Sequence, residues 1–161
     1  MQIIDSFELQ IINDLMELRS MSEWLQKICG NLAVSESVIK DLDLCANEVV
    51  ANIILYAYED HEQHQINMRL VLKKNQELSL TIQDDGNAFD PFKAILSESY
   101  DKIGDVNIGG LGIQLILGLA NECKYSRLNG KNIVTLCFHL CQAPSTSIQS
   151  ENSQLLNCSN Y

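Results

Sequence analysis

The sequence predicts an α+β domain: a two-layer α/β sandwich with a mainly antiparallel mixed sheet and helices on one face. Three observations carry that expectation. Apolar residues recur every three to four positions in two early segments, which is the helical period. In later segments they alternate at every second position, in pairs joined by turn signals. The resulting order, β-α-α-β-β-loop-α-β-β, groups helices against hairpins, and such elements bury their apolar faces by stacking in layers.

Residues 2–9 alternate weakly and read as a first strand. From about 10 to 29, Ile11, Leu15, Leu18, Met21, Leu25 and Ile28 follow a helical period, and Gly30-Asn31 stops it. Ser35 and Glu36 start a second helix running to about Tyr58, with Val38, Leu42, Cys45, Val49 and Ile53 on its apolar side. Ile66, Met68, Leu70 and Leu72 alternate, as do Leu78, Leu80 and Ile82, around a turn at Asn75-Gln76. Residues 87–108 have no sustained period, and a loop of that length in a small domain is functional or mobile. Helix resumes near Leu111. Asn129-Gly130 then marks a last hairpin, in which Val134, Leu136, Phe138 and Leu140 face one way and Ile133, Thr135, Cys137, His139 and Cys141 the other. The domain is expected to occupy residues 1–141, and the Ser-, Gln- and Asn-rich stretch 142–161 to be a disordered tail.

A chain of 161 residues is one domain by size, and its 46% apolar and 20% charged residues are those of a globular protein. A net charge of −10 argues against direct nucleic-acid binding or an anionic membrane surface. The six cysteines form no Cys-x-x-Cys, and the longest apolar stretch, Leu111 to Ala120, is too short to span a bilayer. Reduced thiols in a cytoplasmic protein are expected. Cys137, His139 and Cys141 share a strand face but lack a second ligand pair, so a metal is not expected there. His61 and His64 are expected in solvent.

Two glycine motifs lie between Asp84 and Ile113: Asp84-Asp85-Gly86-Asn87-Ala88-Phe89-Asp90-Pro91 and Gly109-Gly110-Leu111-Gly112-Ile113. Upstream, Glu48 and Asn52 stand four residues apart, which puts a carboxylate and an amide on one helix face. The aspartate before a glycine turn offers an acceptor beside closely approaching backbone. The second glycine run opens a helix whose free N–H groups can receive phosphate. In this order the three point to nucleotide binding. Taken singly, each has an ordinary reading as an exposed polar pair, a turn after a strand, or a loop before a buried helix. Leu115 occupies the place of a third Rossmann glycine, and no Gly-Lys-Ser/Thr forms a P-loop.

With these motifs in sequence, the chain resembles the GHKL (histidine kinase-like) ATPase superfamily. Within it, the resemblance is to the bacterial anti-sigma factor serine-protein kinases of the RsbW and SpoIIAB type. Leu44 to Tyr58 is similar to the family's N box with its Glu-x-x-x-Asn core, Asp84 to Pro91 to its Asp-x-Gly box, and Gly109 to Leu115 to its Gly-Gly-x-Gly box. The close, Tyr125-x-Arg127-x-x-Gly130-x-Asn132-x-Val134-Thr135-Leu136, is similar to the end of these domains, and the likeness covers roughly residues 5–140. It departs at Tyr56, where the family often has His. It departs again before Gly109, where Gly104 to Ile108 hold no basic residue and Lys102 is the nearest.

The resemblance implies a Bergerat-type ATP-binding fold, ATP and Mg²⁺ as cofactors, and a homodimer. Asn52 would be the Mg²⁺ ligand through its amide oxygen, and Glu48 the base that orients or deprotonates an attacking serine hydroxyl. Asp84 would read the adenine amine above Gly86. Ala88, Phe89, Lys102, Gly109, Gly110, Leu111, Gly112 and Thr135 complete the implied nucleotide contacts. Arg19, on the first helix, would contact a protein partner, although a solvated arginine is as good a reading. The implied activity is that of an ATP-binding anti-sigma factor and serine/threonine-protein kinase. Its partners would be a sigma factor and a STAS-domain anti-sigma factor antagonist, the latter its substrate. Two alternatives remain: a non-catalytic ATP-sensing module, and a switch kinase in a phosphatase-linked pathway that binds no sigma factor.

Overall fold

The computed structural model describes residues 2–93 and 110–140. Lys102, Gly109 and the tail 142–161 lie outside them. Strand β1 (Ile3–Ile12) turns its Phe7, Leu9 and Ile11 inward. Helix α1 (Glu17–Asn31) buries Met21, Leu25, Ile28 and Cys29 at spacings of four, three and one. Helix α2 (Glu36–Tyr56) buries Leu42, Cys45, Ala46, Val49, Val50 and Ile53, a stripe two residues wide that suits packing on a sheet. Strands β2 (Gln65–Lys73) and β3 (Glu77–Asp84) form the first hairpin. Helix α3 (Gly110–Leu119) follows, and β4 (Glu122–Leu128) and β5 (Lys131–His139) form the second hairpin.

The five strands are ordered β1-β2-β3-β5-β4, and every pairing is antiparallel. The expected element order and layered architecture are therefore present, with no parallel pair in the described sheet. Asn129 (φ 51°) and Gly130 (φ 78°) both take the left-handed conformation that a two-residue hairpin turn requires. Ile66, Met68, Leu70, Leu78, Leu80, Ile82, Val134, Leu136 and Phe138 form one sheet face, and the three helices pack onto it in a single core. Burying each such side chain contributes about 1.5–3 kcal/mol before entropy is counted. The opposite face carries Glu8, Gln10, Asn67, Arg69, Thr81 and Gln83 around an open groove.

The largest boundary difference from expectation lies between β1 and α1. The sequence suggests helix from about residue 10, whereas β1 continues to Ile12 and α1 begins at Glu17. Ile11 fits either period. Pairing with Ile66 across β2 decides it, and Ile11 ends up 3% exposed as a strand residue. Asn13-Asp14 then breaks the chain. The Asp14 carboxylate accepts from Met16 N at 2.9 Å, and Asn13 Oδ1 accepts from His64 N at 2.8 Å, tying the end of β1 to the approach to β2. No helix among the described residues is long and apolar enough to cross a membrane.

Candidate functional site

Helix α2 is the element that joins the three motifs. Glu48 and Asn52 lie on one flank of its buried stripe, both half-buried. Glu48 reaches the first turn of α3, where a Cβ added to Gly112 would lie 2.1 Å from Glu48 Oε2 and 2.9 Å from its Cδ. The carboxylate thus occupies the space that a side chain at 112 would fill, against the end of a helix that attracts negative charge. Nine residues on, Ala57 caps α2 and packs against Gly86. A Cβ at Gly86 would meet the Ala57 Cβ and carbonyl oxygen, each at 2.6 Å, so only glycine fits. Asn87 N donates to that carbonyl at 2.7 Å. At 1.5 Å per residue the two contacts stand about 14 Å apart along α2, the scale of an extended nucleoside triphosphate, with Asn52 between them.

Asp84 ends β3 on the helix-facing side of the sheet and is 3% exposed. Its Oδ1 accepts from Gly86 N at 2.9 Å and from Asn132 Nδ2 at 2.8 Å. Among the described residues, Oδ2 accepts no hydrogen bond. Burial pushes the Asp84 carboxyl above its ordinary range, while the Asn132 and Gly86 donors pull it back. Asn132, itself 4% exposed, stands opposite Asp84 in the β3–β5 register. Its Oδ1 accepts from Tyr125 OH at 2.9 Å and Arg127 Nη1 at 2.6 Å. Arg127 Nη1 also donates to Gly86 O at 3.1 Å, and Asn132 Nδ2 to Asn87 O at 3.0 Å.

Beyond Gly86 the rest of the box has a local explanation. Asp90 Oδ1 accepts from Phe92 N at 3.0 Å and Lys93 N at 3.3 Å, capping a helical turn that opens with Pro91 at its first position. Ala88 and Phe89 are exposed beside it, Phe89 by 52%. Leu111 is exposed on α3, and Gly110 is the first residue of that helix.

Two of the named positions stand apart from this cluster. Thr135 sits on the face of β5 opposite to Asn132, and its hydroxyl pairs with Thr81 at 3.4 Å, so the sheet separates it from Asp84. The pleat decides this, because residues an odd number apart point to opposite faces. Arg19 projects from α1 into solvent and bridges Glu23, Nε to Oε1, at 2.8 Å.

His64, expected in solvent, is half-buried instead. Its ring stacks on Tyr58 with centroids 4.0 Å apart, and Nε2 meets Asp60 Oδ1 at 2.8 Å. Its Nδ1 lies 3.5 Å from Asp85 Oδ1, which also accepts from Tyr58 OH at 3.2 Å. Sequence reasoning assigned no role to Tyr58, Asn132, Arg127 or Tyr125. Asn132 was accessible to it in principle, since antiparallel pairing around the Asn129-Gly130 turn brings it across from the end of β3. The thiols of Cys29 and Cys45 are chemically quiet, since burial pushes Cys29 up to about 11 and Cys45 up to about 12.

A sheet with helices on one face, and a central helix joining a buried aspartate turn to a glycine-opened helix, is the architecture of a histidine kinase-like ATPase. The chain matches the histidine kinase-like ATPase domain family over residues 11–138 and belongs to it. It is 31% identical over 116 residues to the serine/threonine-protein kinase BtrW of Bordetella bronchiseptica, covering 72% of this chain and 81% of that protein. Its enzyme class is that of a kinase. Solved structures share the fold as well. The crystal structure of the RsbU and RsbW domains of Rv1364c from Mycobacterium tuberculosis superposes with a TM-score of 0.64 at 15% identity, over 86% of this chain and 33% of that one. The SiaB–SiaC complex of Pseudomonas aeruginosa gives 0.52 at 15% identity, over 84% and 89%.

Proposed function

We propose that the protein is a cytoplasmic serine/threonine-protein kinase of a partner-switching system. It binds Mg·ATP and a sigma factor, and phosphorylates a STAS-type anti-sigma factor antagonist, working as a homodimer. The single observation that carries the reading is the spacing imposed by α2. Asp84 and Gly86 lie at the C-terminal end of the helix, and Glu48 meets Gly112 nine residues before it. An acceptor for a base amine and a helix start for phosphates are thereby about one nucleotide apart.

The residues present suit that ligand. Asp84 keeps Oδ2 clear of the described donors, and the first turn of α3, with its free backbone N–H groups, stands beside the Glu48 carboxylate that fills the space next to Gly112. Asn52, between the Glu48 and Ala57 contacts, would supply the neutral oxygen that a hard cation takes, and Mg²⁺ would neutralise charge on the phosphates. Glu48 would accept the proton of an attacking hydroxyl. Lys102 would add the cation that Gly104 to Ile108 lack, while Gly109, Gly110 and Gly112 offer backbone donors. Ala88, Phe89 and Leu111 would border the nucleotide. Arg19 is offered to the protein partner, its pairing with Glu23 being exposed and easily exchanged.

The test is phosphate transfer from labelled ATP to a STAS protein encoded beside this chain, followed by mapping of the modified residue. Transfer to a serine or threonine is expected. Tight ATP binding with no transfer would favour an ATP-sensing module, the reading that the uncharged segment before Gly109 supports. Transfer without sigma-factor binding would favour a switch kinase in a phosphatase-linked pathway.

A further inference from the structure

We infer that Asn132 is a positioning residue for base recognition: held by Tyr125 and Arg127, its amide turns the Asp84 carboxylate so that Oδ2 alone is presented to the ligand. The inference rests on the reading of Asp84 as the acceptor for the adenine amine.

The amide orientation is set by chemistry. Asn132 Oδ1 lies 2.6 Å from Arg127 Nη1, and a guanidinium can only donate. Tyr125 OH, at 2.9 Å, gives its proton to the same oxygen. The NH₂ group must therefore face Asp84, where it donates to Oδ1 at 2.8 Å, with its other contacts on the Asn87 and Gly86 carbonyls at 3.0 and 3.4 Å. Gly86 N takes a second lone-pair direction on the same Oδ1, at 2.9 Å. One carboxylate oxygen is thus occupied twice from the protein and the other is not occupied by any described donor. Both side chains are almost fully buried, where an ill-oriented polar group costs most.

Such a device selects by hydrogen-bond polarity. An ionised Oδ2 accepts from the exocyclic amine of adenine and repels the carbonyl oxygen that guanine carries at the same ring position. If the amide of Asn132 is replaced by an acceptor, it competes with Asp84 for a donor and the carboxylate loses its orientation.

The test is calorimetric titration of the full chain with ATP and with GTP at pH 8 and pH 5.5, always against wild type at the same pH. Asn132→Asp sets two carboxylates face to face. At pH 8 its ATP affinity should fall roughly 10- to 100-fold, the effect of losing a charge-assisted hydrogen bond. At pH 5.5 a shared proton restores a donor between the two groups, and most of the loss should be recovered. A merely structural role predicts no recovery specific to the base. Tyr125→Phe, which retains shape, should lower ATP affinity by about two- to five-fold with GTP affinity unchanged, and it decides the matter if Asn132→Asp does not fold. Equal losses for ATP and GTP, or no recovery at pH 5.5 in a folded protein, would overturn the inference. Asp84→Asn separates the two readings. If it leaves the ATP-to-GTP ratio unchanged, Asp84 does not read the base. If it shifts the ratio while Asn132→Asp does not, only the role of Asn132 fails.

Discussion

Glu48 occupies the space that a side chain at position 112 would need: a Cβ there would lie 2.1 Å from Glu48 Oε2. The clash is with the far end of a flexible side chain, so it is relieved by moving the carboxylate and not the helices. Gly112→Ala should therefore fold normally. Stability is expected to stay level or rise by up to about 0.5–1 kcal/mol, the helix-propensity gain of alanine over glycine. Phosphate transfer should nevertheless fall by about 10²-fold or more, because the base is displaced. A thermal melt beside a transfer assay checks both halves, and unchanged transfer would detach Glu48 from the chemistry.

The second glycine contact behaves differently because backbone is involved. At Gly86 a Cβ would meet the Ala57 carbonyl oxygen at 2.6 Å, and that oxygen already accepts from Asn87 N. Gly86→Ala must push the aspartate turn off the end of α2. A loss of about 1–3 kcal/mol is expected in urea denaturation, the usual cost of overpacking. A wild-type midpoint would mean that the turn moves freely.

Glu48 and Asn52 are expected to separate chemistry from binding. Glu48→Gln keeps shape and should hold ATP affinity within a few-fold while lowering transfer roughly 10²–10⁴-fold. Asn52→Ala removes the proposed metal ligand and should abolish the Mg²⁺ dependence of ATP binding along with transfer. Wild-type ATP affinity that is the same in Mg²⁺ and in EDTA would refute the metal assignment.

The His64 cluster should make stability depend on pH. The hydrogen bond with Asp60 raises the His64 pKa above its ordinary 6.5, with the charges of Asp60 and Asp85 adding to it. The same hydrogen bond lowers the pKa of Asp60. A raised histidine contributes fully below its unfolded value and loses that contribution as pH rises through the folded one. A depressed aspartate contributes above its unfolded value and loses it as acid is added. Both are in force together between about pH 4 and 6.5. The melting-temperature gap between wild type and His64→Gln should be widest near pH 5.5, narrow by pH 8.5, and shrink in salt, since the pair is close to solvent. A gap that widens with pH would contradict this.

Local pattern carried much of the architecture. The stripe of α2, the alternation of β2 and β3, and the Asn129-Gly130 turn are legible because helical period, pleat and turn conformation depend on neighbours in the chain. The three motifs and their order likewise identified the family without coordinates. What sequence could not settle was every choice that depends on a partner distant in the chain. Ile11 suits helix or strand until Ile66 lies beside it. Alternation alone puts Thr135 and Asn132 on opposite faces, but only the β3–β5 register sets Asn132 directly across from Asp84. The same holds for the glycines. Their spacing hints at a ligand, but only packing reveals that Gly86 makes room for Ala57 and Gly112 for Glu48, because close approach is a property of two surfaces and is written in neither alone.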